Sequence, residues 1–192
     1  MQIVKYPHPT LRHESKPLKR VDAELRRLIR QMFELMYEAR GVGLAANQVD
    51  LPLRMFVVNL AADPGKGDEM VFINPVLSHP KGTAEEEEGC LSIPELYGPV
   101  VRPKTVRISA FNEAGEAIEA DLDNMYARVV QHEFDHLEGV LFTDRMTSTA
   151  MADARPALDD LESRFAMRRE AGEIPPDDQI ADRLLEWERR YC

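Results

Sequence analysis

The sequence predicts an α+β fold: small, mostly antiparallel sheets packed around a central metal-binding helix, with a helix before them and a helical tail behind. Three observations predict it. Helical periodicity falls in three separate places, at residues 22–40, 124–137 and beyond 146. Between them lie short apolar runs parted by turn residues, close enough in sequence to pair antiparallel. The middle helix carries His132-Glu133-Phe134-Asp135-His136 among Ala127, Val129, Val130 and Leu137, so it reads as buried.

Each element has its own signal. The opening MQIVKYPHP reads as a strand entering a turn. Residues 22–40 place Leu25, Leu28, Ile29, Met32, Leu35 and Met36 on one face, with Asp22 as N-cap and Gly41 as the stop. Strands follow near Arg54–Leu60 and Met70–Ile73, joined by the turn-rich ADPGKGD. Thr105–Asn112 and Ala117–Leu122 read as a hairpin across Glu113–Glu116, and a helix spans Asn124–Leu137 with Gly139 just beyond it. The tail holds two helical patterns, Met151, Leu158, Leu161, Phe165 and then Ile180, Leu184, Trp187, Tyr191, broken at Glu173–Asp178.

Composition bounds the function. At 192 residues the chain predicts one domain that buries ~70% of its unfolded surface. No apolar run approaches the length of a membrane span. A net charge of −10 argues against a nucleic-acid binder that works through a basic surface. With two cysteines and an opening unlike a signal or transit peptide, a Cys90–Cys192 disulfide is not expected, and the expected location is the cytoplasm of a bacterium.

His132 and His136 stand i, i+4, about 40° apart around a helix axis, and Glu133 lies about 60° from His136. Two imidazoles so placed grip one ion, and the glutamate can reach a water there without ligating. Such a string also occurs on surface helices as a solvated charge cluster, but buried imidazoles need partners and a divalent cation supplies them. A catalytic site wants a third ligand. Phe142 occupies the position where one extended metalloprotease pattern has histidine, and Asp159, Asp160 and Glu162 are the downstream carboxylates for another. The better candidate is Cys90, in Glu88-Gly89-Cys90-Leu91-Ser92, because a thiolate suits a borderline metal and Gly89 allows close backbone approach. Cys192 is expected to be exposed and is assigned nothing.

Residues 41–48, GVGLAANQ, are too small for ordinary core filling. They lack the Gly-Lys-Ser/Thr ending of a phosphate loop. Backbone passing close to a ligand, with the Gln48 amide as donor, is the reading they allow.

GVGLAANQ (41–48), EGCLS (88–92) and QHEFDHLEG (131–139), in that order, resemble the three motifs of the peptide deformylase family, and KYPHPTLR (5–12) is similar to its N-terminal region. The likeness covers residues 1–145, a catalytic domain; residues 146–192 form a helical extension, expected to pack on that same domain. The resemblance implies that Cys90, His132 and His136 hold the metal and Glu133 is the general acid/base. It implies oxyanion stabilisation by the Gln48 side chain and the Leu91 N–H, with Val42, Gly43 and Gly89 lining the substrate cleft. It also implies one divalent ion, Fe2+ in the cell and Zn2+, Ni2+ or Co2+ in purified protein. The reaction would remove the formyl group from formylmethionyl nascent chains.

The chemistry follows without the name. A metal acidifies water from 15.7 toward about 7, Glu133 takes its proton, and one preorganised oxyanion donor is worth ~3–4 kcal/mol. Met125 and Val129 share the Glu133 face at one-turn intervals and could enclose an unbranched apolar side chain, or be core. Arg128 sits on the adjacent face. Of the acids Glu85–Glu88, most read as solvated, with Glu88 the one to orient a ligand and Lys104, Arg102 or Arg107 within reach. Residues 146–192 hold seven Arg against eleven Asp plus Glu, net −4. Some deformylases are thought to dock on ribosomes through a basic C-terminal helix, which this tail does not resemble; a transient ribosome contact stays open, packing on the core or a dimer contact is favoured, and the chain would be a monomer or homodimer. The rivals are a zinc peptidase of the His-Glu-x-x-His type and an inactive metal-binding protein, the latter disfavoured by Glu133 and Gln48.

Overall fold

The computed structural model describes all 192 residues. Helix α1 (Ala23–Glu38) begins where the Asp22 carboxylate accepts from the Leu25 N–H at 2.9 Å. It buries Leu25, Leu28, Ile29, Met32, Phe33 and Met36, each worth about 1.5–3 kcal/mol. Its end differs from the expectation. Arg40, not Gly41, takes the left-handed conformation (φ 56°). Gly41 is needed for space: a Cβ there would stand 2.6 Å from Leu91 Cδ1.

Five strands make one antiparallel sheet in the order β1-β2-β3-β6-β7. These are β1 (Gly43–Ala45), β2 (Met55–Val58), β3 (Met70–Lys81), β6 (Thr105–Phe111) and β7 (Ala117–Asp123). Strand β3 runs well past the expected Ile73. Pro75 and Pro80, which lack ladder donors, fall within register shifts against β6, between Ile73 and Val76 and between Ser78 and Lys81. The small residues of β1 were not legible as a strand; they pair with β2 from Gly43↔Val58 to Ala45↔Phe56.

A second sheet is a long hairpin, β4 (Ala84–Cys90) with β5 (Ile93–Arg102). It bears out the reading of Glu85–Glu88 as mostly solvated with Glu88 set apart. Glu85, Glu86 and Glu87 are exposed, and Glu88 alone is buried. The expected N-terminal strand is also replaced. Residues 4–6 form a strap without a ladder, in which Val4 N–H donates to Gln48 O (2.8 Å) and Tyr6 N–H to Ser92 O (2.9 Å).

Helix α2 (Asn124–Leu137) lies between the two sheets. Val129, Val130 and Leu137 pack on Ala45, Phe56, Val58, Phe72 and Ile108 of the larger sheet. Gly139 (φ 69°) ends it, where any side chain would strike the Arg12 backbone at 2.6 Å. The tail forms α3 (Ser148–Glu170) and α4 (Asp177–Tyr191). Ala154 and Leu158 join Ile93, Leu96 and Val100 of β5, while Tyr191 enters the cluster around α1. No helix is long and apolar enough to cross a membrane.

Candidate metal centre and active cleft

Two elements supply the donors. Helix α2 projects His132 and His136, whose rings stand 5.1 Å apart at 80°. The irregular end of the hairpin, where pairing jumps from Gly89↔Tyr97 to Cys90↔Ile93, turns the Cys90 sulfur toward them. The donor atoms of Cys90, His132 and His136 all lie within 4.8 Å of one another, and Cys90 Sγ is 3.2 Å from His136 Nε2. Asp159, Asp160 and Glu162 are elsewhere, on α3, paired with Arg155 and Arg164. Cys192 is half-buried rather than exposed, and neither cysteine is in a disulfide.

The donor set fits a borderline divalent ion: one thiolate and two imidazoles leave a position free. One buried atom beside them supports the fit. Glu133 Oε2 has no hydrogen-bond partner, and an unpartnered polar atom in the interior is costly. Burial above all pushes the Glu133 carboxyl up to about 7, against the pull of His132. Burial first, then His132 and Arg102, holds His136 well below its usual range, which keeps it a neutral ligand.

Glu88 orients the centre. Its Oε2 lies 3.0 Å from His132 Nδ1, which leaves Nε2 for a metal. Arg102 donates to both Glu88 oxygens (2.6 and 2.9 Å), and Arg128 to Oε1 (2.5 Å). Burial would raise the Glu88 pKa, but His132 and Arg102 outweigh it and lower it to about 2. The same Arg102 reaches Asp135 Oδ2 at 2.7 Å, and Arg145 closes on Asp135 from outside. Of the candidate partners for Glu88, only Arg102 serves. Arg107 pairs with Asp121 and Glu119 on the larger sheet, and the Lys104 side chain lies beside Gly82. Arg128 serves this cluster as well; position on a helix face could not assign it. Asp135, Arg145 and Lys5 were missed, because nothing local marks a charged residue whose partner is many residues away.

Gln48 is held by its own loop. The Ala45 N–H donates to its Oε1 at 2.8 Å, presenting Nε2 3.3 Å from both Cys90 Sγ and Ser92 Oγ. Gly43 gives Glu133 its room, since a Cβ there would sit 2.5 Å from Oε1. The cleft, of about 530 Å³, is lined by Val42, Gly43, Gln48, Gly89, Cys90, Leu91, Met125, Val129, His132 and Glu133, which is the whole set the sequence proposed for catalysis, metal and substrate except His136. His136 lies beneath, 1% exposed. Met125 is 55% exposed, at the mouth, and Val129 is buried. Tyr97 covers Gly89, where a Cβ would meet its ring at 2.6 Å.

A thiolate and two imidazoles converging beside a buried carboxylate, on an α+β frame, define a metal-dependent hydrolase. Within that class, the chain belongs to the polypeptide deformylase family, whose model matches residues 1–151. It is 46% identical over 191 residues to the peptide deformylase of Rhodopirellula baltica, covering all of this chain and 95% of that one. That match runs through the tail, which the motifs alone did not reach. Against Arabidopsis thaliana peptide deformylase 1B, chloroplastic/mitochondrial, identity is 42% over 86% of this chain, which spans 61% of the plant protein. A crystal structure of that plant enzyme with an inhibitor superimposes at TM-score 0.85, with 41% identity over 92% of this chain and 97% of the other. Plasmodium falciparum peptide deformylase gives 0.84, with 39% identity over 86% and 98%.

Proposed function

We propose that the chain removes the formyl group from the N-terminal formylmethionine of newly made polypeptides and releases formate, in the bacterial cytoplasm, with Fe2+ as its resident ion. The observation that carries this is the meeting of Cys90, His132 and His136 within 4.8 Å beside a buried, unpartnered Glu133 oxygen.

A divalent cation held by those three side chains would supply Lewis acidity, drawing electron density from oxygen and acidifying water at neutral pH. The rest belongs to the chain. Glu133 takes the proton of the attacking water, whose oxygen bonds to the formyl carbon. Negative charge grows on the formyl oxygen, met by Gln48 Nε2 and the Leu91 N–H. As the C–N bond breaks, Glu133 returns the proton to the leaving amine, and formate departs. Burial suits Glu133 to both transfers, since an acid near neutrality gives and accepts protons readily. Val42, Gly43 and Gly89 line the peptide's path, and Met125 with Val129 flank an unbranched side chain.

Residues 1–145 act as the catalytic domain, and 146–192 pack on it as part of the same unit; burial of Leu158 and Tyr191 supports this. Formate release from a formyl-methionyl peptide, with the metal identified in anaerobically purified protein, tests the proposal. Glu133→Ala should abolish turnover with metal still bound; full activity in that variant ends the mechanism. Cys90→Ser should lose metal, whereas retained metal and cleavage of internal peptide bonds would favour the peptidase reading.

A further inference from the structure

Lys5 is the one lysine lining the active cleft, and its Nζ donates to Leu91 O at 2.6 Å. That carbonyl belongs to the peptide unit joining Leu91 to Ser92. At the other end of the same unit, the Ser92 N–H points at Cys90 Sγ, 3.4 Å away. A cation on the oxygen of an amide withdraws electron density from its nitrogen and strengthens the N–H as a donor. Lys5, peptide and sulfur therefore form one polarised chain. Gln48 Nε2 adds a second N–H to the same sulfur at 3.3 Å. The N-terminal strap holds the arrangement in register, because Val4 N–H bonds Gln48 O on one side of Lys5 and Tyr6 N–H bonds Ser92 O on the other.

We propose that Lys5 is a positioning residue for the deformylation reaction: through the Leu91–Ser92 peptide it drains electron density from the Cys90 sulfur and fixes the backbone of Leu91. This rests on Cys90 being a metal ligand. A thiolate so depleted gives less charge to the cation and leaves it a stronger Lewis acid. Lys5 thus acts on rate through the ligand, without touching the formyl group.

The test uses the full chain loaded with Co2+, whose sulfur-to-metal charge-transfer band reports the electron density on sulfur. Lys5→Met keeps the aliphatic stem and removes the charge; Lys5→Arg keeps the charge. In Lys5→Met the band should move to lower energy, with kcat down about 10-fold and KM within about twofold. Lys5→Arg should return band and kcat toward the wild type. An unmoved band in Lys5→Met overturns the proposal, as does an equal displacement in both variants, which would make the position one of packing alone. Absence of the band from the wild type would instead sink the ligand set. Should Lys5→Met fail to fold, Lys5→Gln, which retains a neutral donor, serves in its place with the same expected direction.

Discussion

Gly43 shows how narrow the tolerance of the cleft is. A Cβ at this position would lie 2.5 Å from Glu133 Oε1 and 2.9 Å from its Cδ and Cγ, so something must move. The carboxylate is the far end of a side chain and moves more easily than the β1 backbone, which is locked to β2 at Gly43↔Val58. Gly43→Ala should therefore fold, keep its metal and lower kcat about 100-fold through a misplaced acid/base. Metal content by mass spectrometry beside single-turnover formate release checks it; undiminished kcat would show that the Glu133 geometry is not critical. Gln48 makes a parallel case. With Oε1 tied to the Ala45 N–H, its Nε2 is a fixed donor rather than a searching one. Gln48→Ala should cost about 10²–10³ in kcat, as loss of an oxyanion donor does elsewhere, with little change in KM. A KM effect alone would make Gln48 a binding residue instead.

At the scale of elements, helix α2 and the β4–β5 hairpin are joined by charge rather than by apolar packing. Glu88 and Arg102 are 5% and 3% exposed at their side chains, and Asp135 is 6%. Removing Arg102 takes a cation from two buried carboxylates at once, while Arg128 and His132 still hold Glu88 and Arg145 still holds Asp135, so the cost falls at the low end of the about 3–5 kcal/mol of a broken buried pair. Arg102→Met should lower the denaturation free energy by that amount and loosen His132, so that metal is lost to chelators faster than from the wild type. Unchanged stability would mean that Arg128, His132 and Arg145 alone balance Glu88 and Asp135. This junction also marks where sequence reading ran out. Helix α2 was legible to the residue because its signals are local: an apolar face at helical spacing and Gly139 at its end. The hairpin was not, since a run of four glutamates hides strand alternation, and what buries Glu88 is a guanidinium fourteen residues away with another on a different element. The ligands were readable from motif spacing. The residues that aim them were readable only as one suspicion about Glu88.

Over the whole molecule, the tail closes the structure on its own N-terminal segment. Lys19 N–H bonds Tyr191 O at 2.8 Å, the Tyr191 hydroxyl donates to Asp22, and Arg190 pairs with Glu24. Glu188, 5% exposed at its side chain, takes Lys16 at 2.6 Å and His13 at 2.8 Å. Burial would raise the Glu188 pKa, but these two partners outweigh it and lower it. A carboxylate depressed on folding contributes stability above its ordinary value of 4.5, and the contribution fades as pH falls through the lower folded value. Glu188→Gln should therefore unfold earlier than the wild type at neutral pH, and the gap should close in acid. A gap independent of pH would assign the effect to packing.

Truncation after residue 145 asks more of the fold. It strips Leu158 from the β5 cluster and Tyr191 from the α1 cluster, each a side chain no more than 3% exposed. Losing roughly 4–6 kcal/mol of burial should lower the melting temperature by roughly 10–20 °C in a chain of this size. A tail committed to these inward contacts, and carrying net −4, is poorly suited to hold an anionic particle. Ribosomes should accordingly pellet as much of a stable Arg→Gln tail variant as of the wild type. Loss of co-sedimentation confined to that variant, with its melting temperature unchanged, would show that the exposed arginines of α3 and α4 form a ribosome contact despite the tail's overall charge.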